Sequence, residues 1–220
     1  QEPGRILFGG SGALVLGELD GVASERVAAL VEALRSSFLP NTISTGNIWG
    51  YLWGKHAYAA MLKATALVDA TIADVLADAA VRPALANLAA EVLALAAAEG
   101  ARPEGFDGFE PRAFRFPPDR DERCLEASLD ALVAFNRKSL KAKSGVWRDL
   151  AVRRRKTEVE SVVRELRTRA TRHGITIPLV EAVGRMIAEI EAGARQMSPD
   201  NLRALSLIDA QSYGSPSIHV

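Results

Sequence analysis

Cysteine, histidine and long apolar runs are all scarce in this sequence. One of the 220 residues is cysteine and three are histidine, so neither an intrachain disulfide nor a thiolate metal cluster can form, and we expect no metal site. A lone cysteine suits a reducing cytosol, and we expect a cytoplasmic protein. No stretch reaches the roughly eighteen apolar residues of a membrane span, and we find no signal peptide. These absences argue against secreted, membrane-spanning and metal-dependent proteins.

An excess of charge of one sign is also missing. The chain carries 27 basic and 27 acidic side chains, so neither a polyanion nor an anionic membrane surface is an expected partner. The one basic run, at residues 153–156, is followed at once by Glu158 and Glu160. Such a run is more typical of a solvated helix face than of a nucleic-acid patch. We expect no nucleic acid and no membrane among the partners.

Residues 1–46 resemble the end of a sheet domain. The chain opens without methionine and enters an apolar segment at residues 5–9, which we interpret as an entry in mid-domain. Glycines separate this segment from a second one at 13–19, which predicts two strands joined by a tight turn. A helix with Val27, Leu30, Val31 and Leu34 on one face follows, and then a short strand at 42–44. We expect the remnant of an incomplete α/β domain.

The remainder of the chain is rich in alanine and leucine and predicts a mainly α fold. Pro and Gly signals divide it into helices at residues 48–68, 70–79, 83–100, 121–138, 156–172 and 178–192. A long loop at 102–118 should pack its phenylalanine rings on the domain. We therefore expect a helical domain over 47–207 and a tail over 208–220.

Lys55 is the first candidate for chemistry. It follows Trp53 and lies within one helical turn of Tyr51 and Tyr58. Partial burial in such surroundings would lower the pKa of a lysine and prepare it to act as a general acid. The alternative is an ordinary surface lysine whose stem covers apolar neighbours.

The second candidate segment runs from Ser144 to Glu160. Thr157 could cap a helix, and Glu158 or Glu160 would then lie in a first turn that favours carboxylates. A carboxylate at this position could also orient a lysine from another element. The residues alone leave both readings open.

Together these motifs resemble the C-terminal portion of the ketopantoate reductase (2-dehydropantoate 2-reductase) family. Trp53-Gly54-Lys55 is similar to the family's Trp-x-Lys, and Ser144, Asp149 and Thr157-Glu158-Val159-Glu160 follow in the family's order. The helix ends at 97–100 and 173–178 match as well. The resemblance covers about residues 4–203 and makes 1–46 the remnant of a Rossmann-type nucleotide-binding domain.

The resemblance implies NADPH-dependent reduction of a 2-oxo acid, ketopantoate to pantoate or a close relative. Lys55 would be the general acid, and Glu158 would orient it and hold a substrate hydroxyl. Ser144 or the backbone of Gly145 would bind the substrate carboxylate, with Lys143 and Arg148 as possible helpers.

Two departures from the family are visible. Ala59 and Lys63 occupy substrate-binding positions that are commonly asparagine in the family, so ketopantoate itself is less secure than the reaction class. The Gly-x-Gly-x-x-Gly turn that seats a dinucleotide is also missing. We expect the chain alone to be an inactive fragment.

Two alternatives remain at this point. One is a non-catalytic helical module that forms a homodimer or binds a partner through its alanine-rich helices. The other is a related reductase for a bulkier oxo acid or an imine, for which Ala59 would leave room.

Overall fold

The computed structural model describes residues 3–5, 12–37 and 39–214. Two short parallel strands and nine α-helices make up this part of the chain. Their bounds are β1 (Leu14–Leu16), α1 (Glu25–Arg35), β2 (Thr42–Ser44), α2 (Ile48–Ala64), α3 (Ile72–Ala77), α4 (Arg82–Ala98), α5 (Glu122–Lys138), α6 (Gly145–Arg148), α7 (Val159–His173), α8 (Pro178–Glu191) and α9 (Pro199–Tyr213). Over the described ranges, every helix is too short or too polar to cross a membrane.

The N-terminal part is a β-α-β unit, as predicted for 13–44. β1 and β2 pair in parallel with Leu14 opposite Thr42, and α1 connects them. The Ser24 hydroxyl caps α1 by accepting from the Val27 backbone N–H at 3.3 Å. Of the predicted helix face, Val31 is buried but Leu30 is 49% exposed. The strand predicted at 5–9 and most of the turn after it lie outside the described residues.

Two glycines let the long loop pack directly on α2. A Cβ on Gly50 would lie 2.3 Å from the Arg102 carbonyl oxygen, and one on Gly54 would lie 2.2 Å from the Glu104 oxygen. Asn47 caps the helix, since its Oδ1 accepts from the Gly50 N–H at 3.1 Å. The glycine between Trp53 and Lys55 is therefore required for packing between backbones.

The alanine-rich helix α4 is the centre of the helical domain. It packs against α2, α8 and α9, and its core-facing residues Leu85, Leu88, Ala89 and Leu95 are fully buried. The alternative of a helical module requires an alanine-rich face that is available for dimerisation. On α4 this face is inside the domain, because small side chains let neighbouring helices approach closely.

The loop at 102–118 packs its aromatic rings inward, as expected. Phe109 and Phe114 are buried with ring centroids 4.8 Å apart, and Tyr58 of α2 stacks on Phe109 at 5.7 Å. A turn of 3₁₀ helix at Pro111–Ala113 interrupts the loop. The rings fix the loop to the helical domain.

A buried carboxyl ties α4 to the last two helices. Both Glu91 oxygens accept backbone N–H groups at the start of α8, from Leu179 and Val180, each at 2.8 Å. The Tyr213 hydroxyl of α9 donates to the same carboxyl at 2.8 Å. Glu91 is fully buried, and it satisfies donors that a helix N-terminus leaves open.

The C-terminal boundary predicted at 207 is wrong. α9 continues to Tyr213 because Leu202 and Leu205 are buried against the domain and Asn201 donates to the Leu67 carbonyl oxygen at 2.8 Å. The predicted tail thus begins inside a helix, and its last residues, 215–220, lie outside the described part. The short helix α6 and the π-helical turn at Asp149–Arg153 were not predicted either.

Candidate functional site

A cleft of about 390 Å³ opens between α2, the end of α5, α6 and the start of α7. Five of the six residues predicted for the site line this cleft: Ala59, Lys63, Ser144, Gly145 and Glu158. They come from three separate segments of the chain, so tertiary packing brings them together. This convergence makes the cleft the candidate active site.

Lys55, the sixth residue, lies on α2 one turn before Ala59 and two turns before Lys63. Residues four apart share a helix face, so Lys55 continues the row that enters the cleft. Its side chain is exposed, which agrees with the reading of an ordinary surface lysine and not with partial burial. The aromatic neighbours point elsewhere, since Tyr58 stacks on Phe109 in the loop.

Lys63 places an ammonium group in the cleft. The residue is half-buried, and its Nζ reaches the Ala59 carbonyl oxygen at 3.5 Å. No carboxylate of the described residues lies within the 4.0 Å ion-pair distance of Nζ. Burial lowers the pKa of Lys63, the Glu158 carboxylate raises it, and the Lys55 ammonium lowers it again. Lys55, Lys63 and Glu158 therefore share one electrostatic environment.

Ser144 and Gly145 form the wall opposite the helical row at the start of α6. Ser144 is buried, and its Oγ accepts from the Trp147 backbone N–H at 3.2 Å. The hydroxyl proton has no acceptor among the described residues, so it can donate to a ligand. Gly145 is exposed, and a Cβ there would meet nothing within 4 Å.

Arg148 and Lys143, the two possible helpers, differ in what they contact. Lys143 pairs with Asp69, and its Nζ lies 3.9 Å from the centroid of the Trp147 ring. Arg148 is half-buried, and within the described ranges its buried Nε has no hydrogen-bond partner. Both residues line the cleft. Only Arg148 keeps a buried donor without an acceptor there.

The turn before α7 carries Glu158 to the cleft. Asp149 is buried and accepts from Arg153 at 2.8 Å and from Arg155 at 3.0 Å, which lowers the pKa of its carboxyl. The chain then turns through Arg154 in the left-handed conformation, with φ 50°. These ion pairs hold the basic run on the protein surface and position the residues that follow it.

Thr157 does part of the capping that we expected. Its Oγ1 accepts from the Val159 N–H at 3.2 Å, while its own N–H and hydroxyl both donate to Glu191 Oε1. Glu158 is the residue at the helix N-cap position and makes no side-chain capping bond. Its carboxylate therefore remains available to the cleft.

A buried hydrogen bond in the cleft wall, between Asn136 and Tyr58, was not predicted. Asn136 is buried on α5, and its Nδ2 donates to the Tyr58 hydroxyl at 2.7 Å. Burial raises the pKa of Tyr58. Asn136 lies on the apolar face of α5, where the sequence pattern indicates only core packing, so no sequence signal identified it.

A larger groove of about 710 Å³ lies on the other side of α2, against α7. Glu99, Arg169 and His173 meet there, with 2.8 Å between Glu99 Oε1 and His173 Nε2 and 2.7 Å between Glu99 Oε2 and the guanidinium of Arg169. Two of the helix-end motifs of the sequence thus contact each other. Since Glu99, Glu165 and Arg169 already form ion pairs there, and no residue predicted for the site lines this groove, it is a weaker candidate than the cleft.

Comparison with protein families gives one match over most of the helical domain. Residues 47–191 match the model described as ketopantoate reductase PanE/ApbA C terminal. The chain belongs to this family. Its matched range includes α2, α6 and the start of α7, which together form the cleft. No curated protein matches the chain.

Solved structures share the fold at low sequence identity. The ternary structure of D-mandelate dehydrogenase with NADH and anilino(oxo)acetate aligns with a TM-score of 0.64 and 18% identity, over 86% of this chain and 70% of that one. The PanE/ApbA family ketopantoate reductase from Ralstonia eutropha JMP134 gives 0.61 and 19%, over 84% and 53%. D-mandelate dehydrogenase with NADH gives 0.63 and 17%, over 84% and 56%. The chain thus spans between about half and 70% of the length of these structures.

Proposed function

We propose that this chain is the substrate-binding and proton-donating part of a nicotinamide-dependent reductase that converts a 2-oxo acid to a 2-hydroxy acid. Ketopantoate or a close relative would be the substrate. The observation that supports this is the convergence of Ala59, Lys63, Ser144, Gly145 and Glu158 on one cleft, with Lys55 one turn away on the same helix.

Lys55 is the proposed general acid. Its ammonium would hydrogen-bond the substrate carbonyl oxygen and give it a proton as negative charge develops there. Glu158 would orient Lys55 and hold a substrate hydroxyl. Because Lys55 is exposed, the dry environment that strengthens such a contact would have to come from the bound substrate and cofactor.

The substrate carboxylate would bind at α6. The free hydroxyl proton of Ser144 and the guanidinium of Arg148, which makes no ion pair among the described residues, are donors of the type that a carboxylate accepts, and Gly145 leaves space for it to approach. Arg148 follows Ser144 by one helical turn, so the two can reach the same anion.

NADPH is the proposed cofactor, and it would supply the hydride. The described β-α-β unit does not offer a pyrophosphate site. At the carboxyl ends of β1 and β2, a Cβ on Gly17 would lie 2.4 Å from the Thr45 carbonyl oxygen, and Glu18 adds a carboxylate paired with Arg26. A phosphate does not fit here, because the backbone of Gly17 is already in contact with Thr45 and because the Glu18 carboxylate would repel it. We therefore propose that cofactor binding needs residues beyond those described and that the 220 residues alone are inactive.

The test is NADPH oxidation, followed by absorbance, with ketopantoate and a panel of other 2-oxo acids. The protein should include the segment that supplies nucleotide binding, and the 220-residue chain should be assayed in parallel. We expect turnover of at least one 2-oxo acid by the longer protein and none by the chain alone. NADH in place of NADPH measures the cofactor preference. Absence of turnover with every acid, despite measured cofactor binding, would overturn the proposal.

A further inference from the structure

The candidate cleft carries more positive charge than a simple 2-oxo acid can neutralise. Four cations line it, namely Lys63, Lys141, Lys143 and Arg148, against the single carboxylate of Glu158. Lys143 already pairs with Asp69. Three cations and one carboxylate remain, which leaves an excess of about two positive charges. A substrate with one carboxylate would neutralise only half of this excess.

Two of these cations, Lys63 and Arg148, make no ion pair with a carboxylate of the described residues. The Nζ of Lys63 is within hydrogen-bond distance only of a backbone oxygen, at 3.5 Å. The guanidinium of Arg148 lines the cleft and makes no ion pair in the described part of the chain, and its buried Nε has no hydrogen-bond partner there. Buried donors and partly desolvated charges are normally paired in folded proteins. Both groups therefore point to anions that enter the cleft.

The two unpaired cations belong to different elements and can serve different anions. Arg148 is one turn from Ser144 on α6, where the carboxylate next to the carbonyl carbon would bind. Lys63 lies on α2, eight residues and about 12 Å of helix axis beyond Lys55. A substrate whose carbonyl oxygen contacts Lys55 would direct its far end along this row. Ala59, between the two lysines, has a small side chain that leaves the path open.

We propose that the preferred substrate is not ketopantoate, which ends in a hydroxyl, but a 2-oxo acid with a second carboxylate at its far end, and that Lys63 binds this second carboxylate. The inference rests on the proposed function and specifies its substrate class. Lys63 would be a specificity-determining residue, and Lys55 would remain the proton donor.

The experiment compares 2-oxoglutarate with its 5-methyl ester as substrates of the protein that includes its nucleotide-binding segment. The ester keeps the carbon chain of the diacid, removes the distant charge and adds one methyl group, so the Lys63 variant below is needed to separate charge from size. We expect kcat/KM to be at least about tenfold higher for the diacid, because a close charge pair forms in a partly desolvated site. Lys63→Met should bring the two values within about threefold by lowering the value for the diacid alone.

Lys138→Met is the matched control, since Lys138 is exposed on α5 and does not line the cleft. It should leave the ratio unchanged. A second measurement uses only the unmodified protein, so misfolding of a variant cannot affect it. Glutarate should inhibit reduction of the 2-oxo acid more strongly than its monomethyl ester does. Equal inhibition would count against the inference.

The outcomes separate this inference from the proposed function. Reduction of ketopantoate that depends on Lys55, together with equal use of 2-oxoglutarate and its ester, would overturn the role of Lys63 and leave the reductase. A diacid preference that survives Lys63→Met would also overturn that role. If no 2-oxo acid is reduced, both proposals are wrong.

Discussion

Arg148, a residue of the proposed carboxylate site, has hydrogen-bonding capacity that the fold does not use. Its Nε is buried without an acceptor within the described ranges, a situation that costs a folded protein about 1–3 kcal/mol. Methionine has a similar length and no donor. We therefore predict that Arg148→Met raises the free energy of unfolding by about 1 kcal/mol, measured by urea denaturation.

The same substitution should weaken the enzyme. If Arg148 binds the substrate carboxylate, Arg148→Met should raise KM for the 2-oxo acid by about tenfold or more, since a charge-assisted hydrogen bond is lost. Arg123→Met, on the exposed surface of α5, should change neither stability nor KM. An unchanged KM in Arg148→Met would show that the carboxylate binds elsewhere.

Glu158 and Glu160 form a matched pair for testing the carboxylate. Both are exposed at the start of α7, but only Glu158 lines the cleft. We predict that Glu158→Gln lowers kcat by about 10²-fold, because an amide cannot stabilise the Lys55 ammonium as a carboxylate does. Glu160→Gln should stay within about threefold of the unmodified protein, since Glu160 does not line the cleft and an exposed charge away from it is weakly coupled. Equal effects in steady-state assays would mean that both residues act only on the helix.

Lys55 and Glu158 could be found from the sequence because they lie in short motifs with a recognisable order. The place of Asn136 in the cleft wall and the lack of a partner for Arg148 Nε could not be predicted from the sequence. Both depend on which helices pack together. The sequence left the burial of Lys55 open for the same reason: a helix has several faces, and Tyr58, which is near Lys55 in sequence, packs on another one.

At the scale of elements, helices with strong apolar periodicity were predicted well, and those defined by tertiary contacts were not. The bounds of α5 and α8 follow their apolar patterns closely. α9 has a weaker pattern and forms because Asn201 and Asp209 bond to distant residues, the Leu67 carbonyl oxygen and Asn87. The π-helical turn at Asp149–Arg153 depends on ion pairs that no periodicity reveals.

Glu91 links the stability of α8 and α9 to pH. Burial raises the pKa of its carboxyl from 4.5 to about 7, although the α8 N–H groups and Tyr213 lower it. A carboxyl whose pKa is higher in the folded state stabilises the fold fully below the unfolded value, and this contribution is lost as the pH rises through about 7. The free energy of unfolding should therefore fall between about pH 4.5 and 7 through Glu91.

Glu91→Gln should remove this contribution. Its thermal midpoint should change less than that of the unmodified protein between pH 5, near the lower end of the titration range, and pH 8, about one unit above its upper end. Glu122→Gln, an exposed residue at the start of α5, is the control. The assignment fails if the Glu91 variant keeps the full pH dependence in calorimetry.

At the scale of the whole molecule, the core belongs to the helical domain. The main cluster of buried apolar residues begins at Ala57, and α1 contributes none of its members. We predict that a chain beginning at residue 47 melts within about 3 °C of the full chain, because little apolar area is lost. A chain that ends at residue 198 should melt more than about 10 °C below the full chain, since Leu202 and Leu205 are then lost from the core. Circular dichroism melts of the two truncations compare them directly.

The measurement that tests the central claim most directly is the rate of NADPH oxidation by the protein that includes its nucleotide-binding segment, compared with the rate of its Lys55→Ala variant. At saturating 2-oxo acid, Lys55→Ala should lower kcat by about 10²–10⁴-fold, the range for loss of a general acid, while cofactor binding stays intact. A Lys55→Ala rate within about threefold of the unmodified protein, well short of that range, would contradict the role assigned to this lysine and, with it, the reading of the cleft as an active site.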